Sequence, residues 1–159
     1  MLSFVFHRQP KAYQGSNTYK SKLDKETYRA VLEQALVEFN PSFEKRSGSL
    51  YGVVYYFYRK ELGIDADNIS KPIWDCLRGF AYDDDSQVVF RVAAKFGVEE
   101  ANSIVPDNFQ NLPENVYDAF IKFFEEANTP HFVYVELGQP IDWQIKFDWE
   151  NEVIDGGTF

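Results

Sequence analysis

The run SLYGVVYYFYRK at residues 49–60 constrains the fold more than any other stretch of the chain. It is rich in aromatic and β-branched residues, which is typical of a central β-strand. Its nearly apolar part, LYGVVYYFY, has nine residues, whereas a helix needs ~20 to span a bilayer. The run therefore predicts the central strand of a sheet, in a protein that is not embedded in a membrane.

Strand-like and helix-like patterns alternate along the chain. The strand-like runs are residues 2–7, 49–60, 86–98 and 131–137. The helix-like runs are residues 25–39, with Asp24 as a cap, a run with Ile69, Ile73 and Phe80 on one face, and residues 113–128. In the middle run Pro72 is expected near the first turn and Gly79 at the end. The order β-α-β-α-β-α-β could belong to a doubly wound parallel sheet, but a Gly-rich phosphate loop is missing. We therefore predict an α+β fold, a two-layer sandwich in which helices cover mainly one face of a four-stranded mixed sheet.

Composition places the chain among compact folded proteins. With 159 residues, 45% of them hydrophobic and 18% aromatic, it has the material for one domain with a real core, and disorder is excluded. Cys76 is the single cysteine, so an intrachain disulfide is impossible and a reducing compartment is expected. The N-terminus lacks the pattern of a signal sequence. We therefore expect a cytoplasmic protein.

The net charge of −9 is unevenly distributed. Residues 1–60 contain ten Lys or Arg and five Asp or Glu, whereas residues 96–159 contain two and thirteen. A negative total argues against a nucleic-acid partner, since phosphates are contacted mainly by Lys and Arg. The basic N-terminal part could nevertheless bind a polyanion.

Six aspartates lie in the stretch DADNISKPIWDCLRGFAYDDDSQ, residues 65–87. Asp65 and Asp67 are two apart and can face one point in extended backbone, and three more follow the helix at residues 83–85. Two carboxylates ~4 Å apart repel by about 4 kcal/mol at an effective dielectric of 20. Dense hard oxygen ligands are what Mg²⁺ or Mn²⁺ requires. The two groups could share an ion only if the chain between them folds back along the helix.

Simpler explanations exist for each group. DADN could cap a helix, and YDDDSQ could be a solvated turn. A calcium loop is excluded, because Ile69 and Ser70 occupy its fifth and sixth positions. For Asp75 we expect an ion pair with Lys71 or Arg78 rather than a metal.

The pattern D-x-D-N-x-x-K-x-x-x-D-x-L, followed by D-D-S-Q, resembles the signature of the RusA family of Holliday junction resolvases. The residues in register are Asp65, Asp67, Asn68, Lys71, Asp75, Leu77, Asp84, Asp85, Ser86 and Gln87. The loop QPKAYQGSNTY after the first strand is also similar to that family's N-terminal loop. Within a single domain of residues 1–159, the resemblance covers about residues 2–97 and the strand at 131–137. The helix at 113–128 and the acidic tail at 138–159 look like additions.

The resemblance implies an enzyme, a homodimeric endodeoxyribonuclease that cuts four-way DNA junctions with Mg²⁺, or with Mn²⁺ as an alternative. It implies that Asp65, Asp67 and Asp85 bind the metal and that Lys71 assists catalysis. Asp84 is a further candidate ligand or a support for Asp85. Metal-bound water could attack the phosphodiester, and Lys71 could stabilise the charge that develops on it.

The N-terminal loop supplies candidate DNA contacts. These are Lys11, Lys20 and Lys22 for phosphates, with Tyr13 and Tyr19 stacking on unpaired bases. The tyrosines could equally pack inside the protein, and the lysines could only solubilise the loop. Two other functions stay open at this point: a catalytically inactive protein on the same scaffold that binds branched DNA or a protein partner, and a metal-dependent phosphatase.

Overall fold

The computed structural model describes residues 1–10, 19–60, 63–98, 111–126 and 128–140, with the backbone alone at 19–23 and at 67. Its strands are β1 (Leu2–Phe6), β2 (Leu50–Tyr58), β3 (Val88–Gly97) and β4 (His131–Gly138). Its helices are α1 (Tyr19–Phe39), α2 (Ala66–Leu77) and α3 (Glu114–Glu125). A 3₁₀ turn at Asp85–Gln87 leads into β3. The alternating order of elements predicted from the sequence is confirmed.

Two helix starts differ from the sequence prediction. Helix α1 begins at Tyr19, so Asp24 lies inside the helix instead of capping it. Helix α2 begins at Ala66, which places Pro72 beyond the first turn. Proline there gives up one helix hydrogen bond. The tertiary packing of Pro72, which is buried, evidently offsets that loss.

The four strands form one mixed sheet in the order β1-β4-β2-β3. Strand β2 pairs in parallel with β3 and antiparallel with β4, which also pairs antiparallel with β1. All nine residues of β2 are buried, as expected for a strand with a neighbour on each side and a layer on each face. The predicted α+β fold with a central strand at 49–60 is confirmed.

Alternate residues of β2 enter two different cores, because side chains of a strand point to opposite faces. Val54 and Tyr56 pack with α1 and α2. Val53 and Phe57 pack with α3 on the other face. Two of the three helices thus share a face, as predicted, and α3 adds a third layer.

The connection from β2 through α2 to β3 fixes the direction of α2. Trp74 lies so close to Gly52 that a Cβ there would be 2.6 Å from Trp74 Cζ2 and 3.1 Å from Val88 Cγ1. The C-terminal half of α2 therefore lies over the first residues of β2 and β3. Its N-terminus points toward the opposite ends of these strands, where β2 ends.

A buried carboxylate lies beside the core between the sheet and α3, here called the second core. Glu136 on β4 is fully buried, and its two carboxylate oxygens accept hydrogen bonds from the hydroxyls of Tyr51 and Tyr134. Burial, and next the carboxylate of Glu136, raise the pKa of Tyr134 well above its usual value, so this hydroxyl keeps its proton and donates.

No helix in the described ranges is long and apolar enough to cross a membrane.

Candidate functional site

Asp65 is the N-cap residue of α2, but its side chain makes no capping hydrogen bond. Only its backbone takes part, since Asp65 O accepts from Asn68 N at 3.0 Å. The side chain is exposed. Capping by the carboxylate therefore does not account for this aspartate, and its oxygens remain available to a cation or to water.

Asp67 and Lys71 follow on the same helix. Asp67 lies in its first turn, and its side chain is outside the described part of the structure. Lys71 is one turn further and is exposed. Because residues four apart lie on one side of a helix, Lys71 belongs to the same face of α2 as Asp67.

Residues 83–87, here called the acidic turn, are held together by a capping box. Asp84 Oδ1 accepts from Ser86 N at 3.0 Å, and Gln87 Oε1 accepts from Asp84 N at 2.9 Å. Hydrogen bonds from the side chain and backbone of Ser86 lower the pKa of Asp84. Asp84 therefore stabilises the turn through its side chain.

Asp85 is held at the C-terminal end of α2. Its Oδ2 lies 3.7 Å from Nη1 of Arg78, the C-cap residue of α2, and its backbone oxygen accepts from Arg91 at 3.1 Å. Its other oxygen, Oδ1, is buried and has no hydrogen-bond partner among the described residues. Buried polar atoms are nearly always satisfied. Oδ1 is therefore an acceptor that a cation or a donor group of a ligand could bind.

Basic residues outside the predicted set lie beside the acidic turn. Lys45 Nζ is 2.5 Å from Asp83 Oδ1, in an exposed pair, and Arg46 N donates to Ala81 O at 2.8 Å. Residues 45–48 are here called the basic loop. The sequence did not predict this neighbourhood, because the two segments are 38 residues apart in the chain and meet only in the fold. The adjacent Lys45 and Arg46 were the only signal in the sequence.

The expected ion pairs of Asp75 are not formed. Arg78 pairs with Asp85, because the backbone of Arg78 leaves the helical conformation (φ −59°, ψ 134°) and turns toward the acidic turn. No ion pair joins Asp75 to Lys71 in the described part of the chain. The backbone oxygen of Asp75 accepts from Arg29 at 3.4 Å.

The two carboxylate groups lie at opposite ends of α2. The helix has twelve residues and is therefore about 18 Å long, whereas oxygens that bind one Mg²⁺ each lie about 2 Å from it. Across the described ranges, no three metal-ligating side chains come together. One chain thus presents two separate sets of carboxylate oxygens rather than one closed centre.

The side chains of the residues predicted to contact DNA lie outside the described part of the structure. Lys11 and Tyr13 are outside the described residues, and Tyr19, Lys20 and Lys22 are described only as backbone of α1. Strand β1 ends on the side of the sheet where β4 begins and β2 ends, as its pairing with β4 shows. The chain therefore leaves β1 at the Asp65 end of α2.

Comparison with known families agrees with the sequence resemblance. The model of the family described as Endodeoxyribonuclease RusA matches residues 57–105. This range contains the end of β2, α2, the acidic turn and β3. No curated protein matches the chain. The stretch that carries both carboxylate groups thus lies within the segment that is similar to the RusA family of endodeoxyribonucleases.

Proposed function

We propose that the chain is a Mg²⁺-dependent, structure-selective endodeoxyribonuclease that resolves four-way DNA junctions in recombination and repair. The match of residues 57–105 to the RusA family supports a nuclease of the Holliday junction resolvase kind. The observation that carries the proposal is the state of the carboxylates in this segment. The side chain of Asp65 makes no capping hydrogen bond, and Asp85 Oδ1 has no partner among the described residues. These carboxylate oxygens are therefore not used to stabilise the fold.

The proposed ligands of Mg²⁺, or of Mn²⁺, are Asp65, Asp67 and Asp85. Carboxylate oxygens are the hard donors that these cations prefer. When bound, the metal supplies a Lewis acid for the phosphate and a water of lowered pKa. Lys71 stabilises negative charge that develops on the phosphate. We assign Asp84 to holding the acidic turn, and thereby Asp85, in position.

The separation of the carboxylates gives a homodimer a chemical role. Because Asp65 precedes α2, Asp85 pairs with the residue that follows it, and α2 is about 18 Å long, we infer that one chain does not bring both to one phosphate. A second copy can, if its acidic turn faces the N-terminus of α2 of the first. We therefore propose that the active enzyme is a homodimer whose two sites are each shared by both chains.

The substrate and setting complete the proposal. Branched DNA would meet the N-terminal loop, where Lys11, Lys20 and Lys22 contact phosphates and Tyr13 and Tyr19 stack on unpaired bases. The proposed location is the cytoplasm, where the single cysteine, Cys76, buried in the core, stays reduced.

A cleavage assay on a labelled four-way junction tests this function. The wild type should cut the junction with Mg²⁺ and not with EDTA. Asp67→Asn should abolish cleavage and leave junction binding largely intact, while Asp118→Asn, an exposed aspartate on α3, should cut like the wild type. Equal cleavage by Asp67→Asn and wild type would refute the proposal. Binding without cleavage by the wild type, with either metal, would favour the catalytically inactive alternative.

A further inference from the structure

The basic loop is fixed rigidly against the acidic turn. Besides the bond from Arg46 N to Ala81 O, the side-chain amide of Gln87 donates to Gly48 O at 3.2 Å and approaches Arg46 O at 3.4 Å. A lysine and an arginine are thereby held at a defined place next to the turn that carries Asp85. Neither residue is among those predicted from the sequence to contact DNA.

A cavity of about 220 Å³ opens between the basic loop and the end of β4. A single water needs only ~10–15 Å³ of such space, so the cavity is large enough for a polyatomic group. Its polar lining includes Lys45, Arg46, Ser47 and Gln139, with Glu44 as the one carboxylate among its lining residues. The lining thus offers mostly hydrogen-bond donors and positive charge.

The guanidinium of Arg46 is not saturated by the protein. Its Nε is buried and has no hydrogen-bond partner among the described residues. Its Nη2 reaches Met1 O only at 3.4 Å, longer than the 2.7–3.2 Å of a good N–H···O bond. A guanidinium whose N–H groups are not all used by the protein can donate to an oxyanion beside it.

We propose that this cavity binds a phosphate group of the DNA backbone, on the Asp85 side of the site. The proposal rests on the proposed function, because the basic loop contacts the turn that carries Asp85, where that function requires DNA. Arg46 supplies a guanidinium, Lys45 a second cation, and Ser47 a hydroxyl. A metal ion would instead need several acceptor oxygens, and Glu44 alone does not provide them.

The ion pair of Lys45 with Asp83 adds a specific expectation. Both side chains are largely exposed, at 42% and 70%, so the pair orients Lys45 without burying it. Asp83 therefore competes with a phosphate for Lys45. Removing the charge of Asp83 should strengthen DNA binding, which a purely structural role of the pair does not predict.

The test measures binding of a fluorescent four-way junction by anisotropy, with EDTA present, over a range of NaCl concentrations. Lys45→Ala combined with Arg46→Gln should weaken binding several-fold and reduce the slope of log K against log[NaCl] by about 1, the value for one phosphate contact. Asp83→Asn should tighten binding. Lys122→Ala and Glu126→Gln, which alter an exposed pair at the C-terminal end of α3, are the controls for loss of a surface cation and of a surface carboxylate, and they should leave the slope unchanged.

A further variant guards against loss of folding at Arg46. Ser47→Glu keeps both cations and changes an exposed residue, and it should weaken binding by placing a carboxylate in the cavity. If the wild type binds the junction and these variants bind with its affinity and salt slope, the phosphate site is refuted while the nuclease proposal stands. If the wild type itself binds no branched DNA, both are refuted.

Discussion

Arg78 Nη1 lies 3.7 Å from Asp85 Oδ2, and this pair joins the C-cap residue of α2 to the acidic turn. Both side chains are partly exposed, at 50% and 36%, so the pair should add only about 0–1 kcal/mol to the free energy of unfolding. Its importance lies in orientation, because it directs one oxygen of Asp85 and leaves the other without a partner among the described residues.

Arg78→Ala should therefore lower junction cleavage much more than stability. We expect a loss of at least about tenfold in the cleavage rate, the consequence of about 1.4 kcal/mol in transition-state stabilisation, with a midpoint of thermal unfolding close to that of the wild type. Arg78→Lys keeps the charge and should recover part of the rate. Loss of stability in step with activity would show that the pair is only structural.

Mixing two inactive variants should restore cleavage if the sites are shared between chains. Asp65→Asn and Asp85→Asn each damage both sites of a shared-site homodimer, whereas a mixed dimer retains one site with both aspartates. Each variant alone should fail to nick the junction, and co-expressed variants should nick it. Mixed dimers, separated by two different affinity tags, that remain inactive would place each complete site within one chain.

The fold could be predicted further than the site. The aromatic run of β2 and the alternation of patterns determine an α+β sheet whatever the details of the loops, because burial of that run requires neighbours on both edges. The same patterns missed the extra turns of α1, since its first residues have little apolar periodicity. The separation of Asp65 from Asp85 depends on the crossover geometry of α2, which follows from strand pairing rather than from residue spacing.

Gly52→Ala should destabilise the protein by about 1–3 kcal/mol through overpacking. The added Cβ would lie 2.6 Å from Trp74 Cζ2 and 2.7 Å from Cη2, and neither the buried indole nor the central strand has room to move. Trp74→Phe removes those atoms, so the double variant should show a positive coupling in a double-mutant cycle. Gly48→Ala is the control: no atom lies within 4 Å of its added Cβ, so any cost comes from its positive φ and is independent of Trp74.

Tyr134→Phe should lower the free energy of unfolding by about 1.5–3 kcal/mol, the range for a hydrogen bond to a charged group. Its hydroxyl donates to Glu136 Oε2 at 2.5 Å inside the second core. Tyr117→Phe, on an exposed part of α3, is the matched control and should have little effect. Chemical denaturation measures both. Equal stability of Tyr134→Phe and wild type would mean that water or another donor satisfies the carboxylate.

Asp84 should make stability depend on pH in the acid range. Hydrogen bonds from Ser86 lower its pKa below the ordinary value of 3.8, so the folded state binds its proton less readily than the unfolded chain does. The stabilisation by Asp84 is therefore fully present above about pH 4 and is lost as the pH falls through the folded-state pKa. Asp84→Ala should be less stable than the wild type at pH 7, and the difference should shrink toward pH 2. Urea denaturation over this range measures it, with Asp118→Ala as the control; a difference that stays constant with pH would refute the role of the Asp84 carboxylate in the capping box.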